Sequence, residues 1–248
     1  LPGGEEKEIV RKGPPTILEG KRILKASSKQ GANVVVLELM SIQPESLFVE
    51  SVQMIKPHIL VITNVRADHL AQMGPSKDEI AGVFSSSISK NCTVFVPEEE
   101  FFPVFQKAAT RVHSKIIEVP LAQMGRIEES EKKHLQSDFS ENRRIAMAVA
   151  DFLGVDKKTV CLGIARTPAD FGGLKVWVSE WGSPPCAWYC VSGFAANDPE
   201  STRCVLSRLR DREILKGRKV IGLLNFRTDR GDRTLQWLSA LKAGDFPE

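Results

Sequence analysis

Four apolar residues in a row, Ile59-Leu60-Val61-Ile62, stop abruptly in Thr63-Asn64-Val65-Arg66-Ala67-Asp68-His69. Short, near-continuous apolar runs read as strands buried on both faces, the kind found in parallel sheets covered by helices. In an open α/β sheet, ligands bind just beyond the carboxyl ends of the strands. Asn64, Asp68 and His69 therefore stand where chemistry is expected. A second run, Asn33-Val34-Val35-Val36-Leu37, leads into Glu38 in the same way.

The rest of the chain alternates in kind. Helical spacing is expected over 18–30, 45–55, 77–88 and 101–111, and strands over 33–39, 58–65, 92–96 and 115–119. The segment 123–136 is charged and irregular, an exposed excursion, and 140–153 carries the clearest helical stripe, with Ile145, Val149 and Phe152 on one face. Thr167-Pro168 and Gly172-Gly173 then interrupt the pattern. Beyond them lies a smaller βαβ-like set: strands over 174–178, 187–194 and 219–225, helices over 201–210 and 234–243. The expected fold class is α/β, with a central parallel-sheet domain over 1–168 and a smaller Rossmann-like α/β domain over 169–248.

Composition narrows the function classes. Apolar content of 42% and charged content of 26% are those of an ordinary globular protein. A net charge of +3 and the lack of aromatic interleaving argue against a nucleic-acid partner. No apolar run approaches the roughly 20 residues that span a bilayer, and no secretory leader is read in the polar start, Leu1 to Lys7. Five scattered cysteines read as reduced thiols of a cytoplasmic protein. The opening without methionine, in a Pro/Gly-rich loop, reads as part of something longer.

Three strand ends carry the candidate chemistry. Glu38 reads as a magnesium ligand, because that cation takes oxygen donors, or as an ordinary carboxylate bonded to a helix N-terminus. Asp198 with Pro199 reads first as a helix cap, while the small residues before it would let a nucleotide approach. The turn Asn225-Phe226-Arg227-Thr228-Asp229-Arg230-Gly231-Asp232-Arg233 sets three arginines together. Such a cluster holds carboxylates or phosphates in bidentate fashion, or forms an exposed Arg–Asp network that contributes little. No Gly-x-x-x-x-Gly-Lys-Ser/Thr phosphate loop occurs in the sequence, so an ATP-binding reading places it upstream of Leu1.

At these residues the chain resembles the Mur ligase superfamily, and within it the ligase subunit of capsule-type poly-γ-glutamate synthase. Leu37-Glu38-Leu39-Met40-Ser41 is similar to the family's strand bearing a magnesium glutamate. Thr63 to Leu70 with Met73-Gly74-Pro75 resembles its Asn-Val-x-x-Asp-His segment. Gly193-Phe194-Ala195-Ala196-Asn197-Asp198 and the Arg/Asp-rich turn through Thr234 are similar to motifs of the poly-γ-glutamate branch. Two positions depart from the pattern: Ala71 replaces an expected aspartate, and Lys175 stands where many relatives place an arginine. Phe84 lies roughly where other Mur-type ligases carry a modified lysine.

The resemblance implies an ATP- and Mg2+-dependent ligase. ATP phosphorylates a carboxylate, and an amino group displaces the phosphate to give a γ-glutamyl amide. By the same resemblance Glu38 and His69 help hold magnesium, Lys175 joins them in catalysis, and Asn64, Asn197 and Asp198 contact the nucleotide. Arg227, Arg230 and Arg233 are read as binding the carboxylates of glutamate or a γ-linked glutamate chain. The implied partners are membrane-bound synthase subunits or a second copy of the chain, at a cytoplasmic location. The competing reading is a catalytically inactive relative, an assembly or anion-binding module.

Overall fold

The computed structural model of the chain describes residues 8–11, 13–14, 16–121, 140–167, 173–228, 230–244 and 246. The excursion expected over 123–136 and most of the expected hinge at 168–172 lie outside the described residues. The chain forms two compact units. One comprises Leu1–Val65 and His69–Pro120, the other Arg66–Asp68 and Leu121–Glu248.

The first unit is built on three parallel strands, β1 (Ile59–Val61), β2 (Thr93–Pro97) and β3 (Lys115–Val119), in the order β1-β2-β3. Register aligns Leu60 with Val94, and Val94 with Ile116. Helix α1 (Leu18–Lys29) comes first, then α2 (Pro44–Phe48), which runs on into a π-helical turn, Val49–Ile55. Between β1 and β2 run α3 (Leu70–Met73) and α4 (Lys77–Ser85), and α5 (Phe102–Arg111) links β2 to β3. Val94, Phe95 and Val96 are all within 1% of complete burial, so β2 has both faces covered. Ile80 and Phe105 from the flanking helices pack into the same core. The near-continuous apolar reading of these strands holds for that reason.

Helix α4 starts where its sequence dictates. Ser76 Oγ accepts from Glu79 N at 3.3 Å, and Glu79 Oε2 accepts from Ser76 N at 3.1 Å, a reciprocal capping box. Gly74 before it has φ +110°, and a Cβ there would sit 2.6 Å from Glu79 Cβ. The Met73-Gly74-Pro75 element is thus a backbone requirement of the cap.

Two expected strands are corrected. Residues 34–40 and 218–227 form no ladder among the described residues, and Val36 and Leu223 are 91% and 89% exposed. β-propensity records how well a side chain suits a pleated surface; the strand itself needs a neighbour's backbone. Glu38 is consequently exposed rather than buried on a strand.

The second unit holds α6 (Ser140–Phe152), α7 (Lys157–Arg166), the strands β4 (Lys175–Trp181) and β5 (Cys186–Ser192), α8 (Pro199–Asp211) and α9 (Gly231–Lys242). Strands β4 and β5 pair antiparallel, Val178 opposite Tyr189, in place of the expected βαβ-like arrangement. Gly182, at φ +103°, supplies the reversal that makes a hairpin the shortest connection. The buried face of α6 is Arg144, Ile145 and Ala148, and Phe152 is 45% exposed, so the expected stripe is displaced toward Arg144. Helix α7 adds to the expected elements, although its cap is legible: Asp156 accepts from Thr159 N at 3.0 Å and from Thr159 Oγ1 at 2.6 Å. Val205 and Leu209 of α8 and Trp237 and Ala240 of α9 are buried. No described helix is long and apolar enough to cross a membrane.

Gly74→Ala should destabilise the chain by roughly 1–3 kcal/mol, because strain and a clash coincide there. Gly82→Ala, mid-helix with open space around it, should instead stabilise by about 0.5–1 kcal/mol. Urea unfolding of the two variants checks the opposite signs. The hydrogen bonds from Thr159 hold the Asp156 carboxyl below its ordinary range. That contribution is complete above the ordinary carboxylate pKa and disappears as the pH falls through the lower folded value. Thermal unfolding from neutral pH to about pH 3 should show a loss at the acid end that is smaller in Asp156→Ala.

Candidate functional site

The end of β1 is held from within its own unit. Glu100, 7% exposed, accepts from Val65 N at 2.9 Å through Oε2, and Val65 is fully buried. A buried carboxylate stabilises structure only when it has such a partner. Asn64 precedes this anchor and is half-buried. His69 adopts φ +54° and opens α3, its carbonyl accepting from Gln72 N and Met73 N at 2.9 Å each.

Between Val65 and His69 the chain belongs to the second unit. There Arg66 Nη1 lies 2.7 Å from Glu200 Oε1, in the first turn of α8. Ala67 O accepts from Gln236 Nε2 at 2.8 Å. The Asp68 carboxylate takes Arg233 Nη2 on both oxygens, at 3.0 and 2.9 Å. Three consecutive residues are thus each held by a different side chain from α8 or α9.

The cap of α8 adjoins this grip. Asp198, 8% exposed, accepts from Ser201 N at 2.9 Å and Ser201 Oγ at 2.6 Å. Both of its oxygens therefore serve the helix start, the capping role its position next to Pro199 suggests. Asn197 is exposed, and its carbonyl accepts from Trp237 Nε1 at 3.1 Å. Arg227 is exposed and its carbonyl accepts from Arg230 N at 3.2 Å, while Arg230 is half-buried just before α9. Lys175 is exposed at the start of β4.

The structure brings Asp68 and Arg233 together, two residues 165 apart in sequence. Asn197 and Asp198 share the second unit with the arginine-rich turn, whereas Glu38, Asn64 and His69 belong to the first. Among the described residues no three His, Cys, Asp or Glu side chains converge as a metal cradle. An exposed carboxylate such as Glu38 still suits magnesium, which keeps several waters and takes further oxygens from phosphate. Sequence reasoning assigns no fixing role to Glu100, Glu200, Gln236 or Trp237. Only Glu200 carries a signal, its place in the first turn just after the Asp198 cap and Pro199.

Removing either partner of the Asp68–Arg233 pair should weaken the second unit. A double-mutant cycle with Asp68→Asn and Arg233→Gln, read by urea unfolding, should give a coupling of about 1 kcal/mol, given the partial exposure of both side chains.

Residues 181–245 match the model of the poly-gamma-glutamate synthase CapB C-terminal domain. The chain is 33% identical over 235 residues to PGA synthase CapB of Bacillus subtilis (strain 168), covering 94% of this chain and 58% of that protein. It is 34% identical over 235 residues to the capsule biosynthesis protein CapB of Bacillus anthracis, covering 94% and 49%. The chain therefore spans about half the length of the curated relatives it matches. Among solved structures, MurF from Acinetobacter baumannii superposes with a TM-score of 0.50 at 16% identity, over 68% of this chain and 41% of that one. A point mutant of L. casei FPGS gives 0.51 at 14%, over 88% and 63%. These two likenesses show the fold. In sequence this chain is thus similar to the CapB proteins, and its fold is that of the MurF and FPGS structures.

Proposed function

We propose that the chain is part of an ATP-dependent acid–amino-acid ligase that forms γ-glutamyl amide bonds in poly-γ-glutamate synthesis. The observation that carries this reading is similarity to the two CapB proteins along 94% of the chain, with the arginine-rich turn inside the matched C-terminal domain. An acidic polymer requires cationic groups to hold its carboxylates. Arg227, Arg230 and Arg233 supply three on one turn and the helix it opens.

The roles follow from chemistry and position. Arg233 binds a substrate carboxylate, with Arg227 and Arg230 engaging neighbouring ones; a planar guanidinium fork matches a carboxylate in shape and charge. Asn197 and Asp198, at the close strand-to-helix turn before α8, are nucleotide-contacting residues of the second unit, and Asn64 is one of the first. Glu38 and His69 hold magnesium, and Lys175 contributes a cation to the reacting phosphate. Magnesium, when bound, neutralises the charge that develops on the phosphate oxygens. The acceptor is glutamate or a γ-linked glutamate chain, and the partners are membrane-bound synthase subunits or a second copy of the chain, on the cytoplasmic side. The domain boundary is read near residue 168, inside the second compact unit rather than at its edge after Pro120.

A second reading, an inactive relative that serves in assembly, draws on Ala71 and on the cap that occupies both oxygens of Asp198. The full open reading frame separates the two: it should release ADP in a manner requiring both glutamate and magnesium. Chelating the metal should stop release and adding magnesium should restore it. Glu38→Gln should lower the rate by about 10²-fold or more with an unchanged melting temperature, because the side chain is exposed. Arg227→Gln should raise the KM for glutamate with little effect on kcat. ADP release that ignores glutamate would sink the ligase reading.

A further inference from the structure

The Asp68–Arg233 pair has an unusual economy. Arg233 offers a fork of nitrogens, yet one of them, Nη2, serves both oxygens of Asp68. The Nε of Arg233 is buried and has no acceptor among the described residues. A buried donor left unmade carries a desolvation penalty, and the preferred carboxylate geometry uses two parallel nitrogens. The pair is also accessible: the side chains of Arg233 and Asp68 are 15% and 31% exposed. The backbone beside Asp68 is held separately, through Arg66 on Glu200 and Ala67 on Gln236. Arg66 and Ala67 would therefore keep their partners if the Asp68 side chain turned away from Arg233.

We propose that Asp68 is an internal competitor for the substrate carboxylate. Asp68 occupies Arg233 when no acidic ligand is bound, and a glutamyl α-carboxylate displaces it, taking Nη2 and Nε together. This inference rests on the reading of Arg233 as a substrate-binding residue. It makes Asp68 a specificity-determining residue that acts through Arg233. A ligand carboxylate that forms the two-nitrogen fork outcompetes the internal one, whereas a group that engages a single nitrogen gains nothing over Asp68. Apparent affinity is reduced by the fraction of molecules in which the competitor is seated. If the internal pair is closed in about 70–90% of molecules, its removal tightens binding about three- to tenfold.

Isothermal titration calorimetry on the intact chain tests this, with racemic glutamate in one arm and γ-glutamylglutamate in the other. Asp68→Asn should tighten binding about three- to tenfold, Arg233→Gln should weaken it at least about tenfold, and the double variant should behave like Arg233→Gln. The arm that responds identifies whether the free amino acid or the chain end is the occupant. If Arg233→Gln binds as the unaltered protein does, or if neither ligand binds, the substrate reading of Arg233 fails. If Arg233→Gln weakens binding but Asp68→Asn leaves it unchanged or weaker, the competitor proposal alone is overturned. Loss of fold in Asp68→Asn does not protect the idea. In the unaltered protein the 13C resonance of the Asp68 carboxyl must shift on ligand addition, and an unmoved resonance under saturating ligand rejects it.

Discussion

Strand β2 is the element on which the first unit depends. It is hydrogen-bonded to a parallel strand on each side, and its central residues are buried on both faces. Parallel pairing demands crossovers, and crossovers place helices over both faces, so the three strands and their covering helices stand or fall together. Burying one large side chain such as Phe105 is worth about 1.5–3 kcal/mol. The core formed by Leu60, Val94, Ile80 and Phe105 is therefore the source of rigidity for everything at the strand ends. Glu100 then pins the backbone just past β1, where the apolar run gives way to polar residues.

The second unit is organised by helix starts rather than by a sheet. Asp198 begins α8 and Arg230 precedes α9, and side chains of their first two turns reach Arg66, Ala67 and Asp68. Polar groups carry this arrangement because all of them need partners when shielded from water. One consequence bears on function. A residue that reads from sequence as substrate-binding, Arg233, is already engaged by a carboxylate from its own chain.

Much of the local geometry around these residues is legible in the amino-acid order. The polar run after Ile62, the cap at Asp198 and the arginine-rich turn are local patterns, and each lies in or beside a helix start or a strand end as its chemistry suggests. Glu38 is less legible. Its apolar approach reads as a strand, but Val34 and Val36 are exposed and the segment is unpaired among the described residues. A run's hydrophobicity says that it can be buried, not that a neighbour is there to bury it. The same explains Leu223. The hairpin of β4 and β5 escapes a sequence reading for a different reason: both strands are recognisable, but their mutual orientation follows from the connection between them.

The amino-acid order alone determined the alternating α/β character, the helix caps and the residue types gathered at each end, because those depend on neighbours within a few positions. It also carries the resemblance to the CapB proteins, since motif residues keep their spacing. Tertiary structure decided which unit holds residues 66–68, which carboxylate faces Arg233, and which apolar runs find a ladder. Those outcomes depend on contacts between residues distant in sequence, from about twenty positions apart in the parallel ladders to 165 for Asp68 and Arg233, and no local pattern encodes which distant partner a charge will meet.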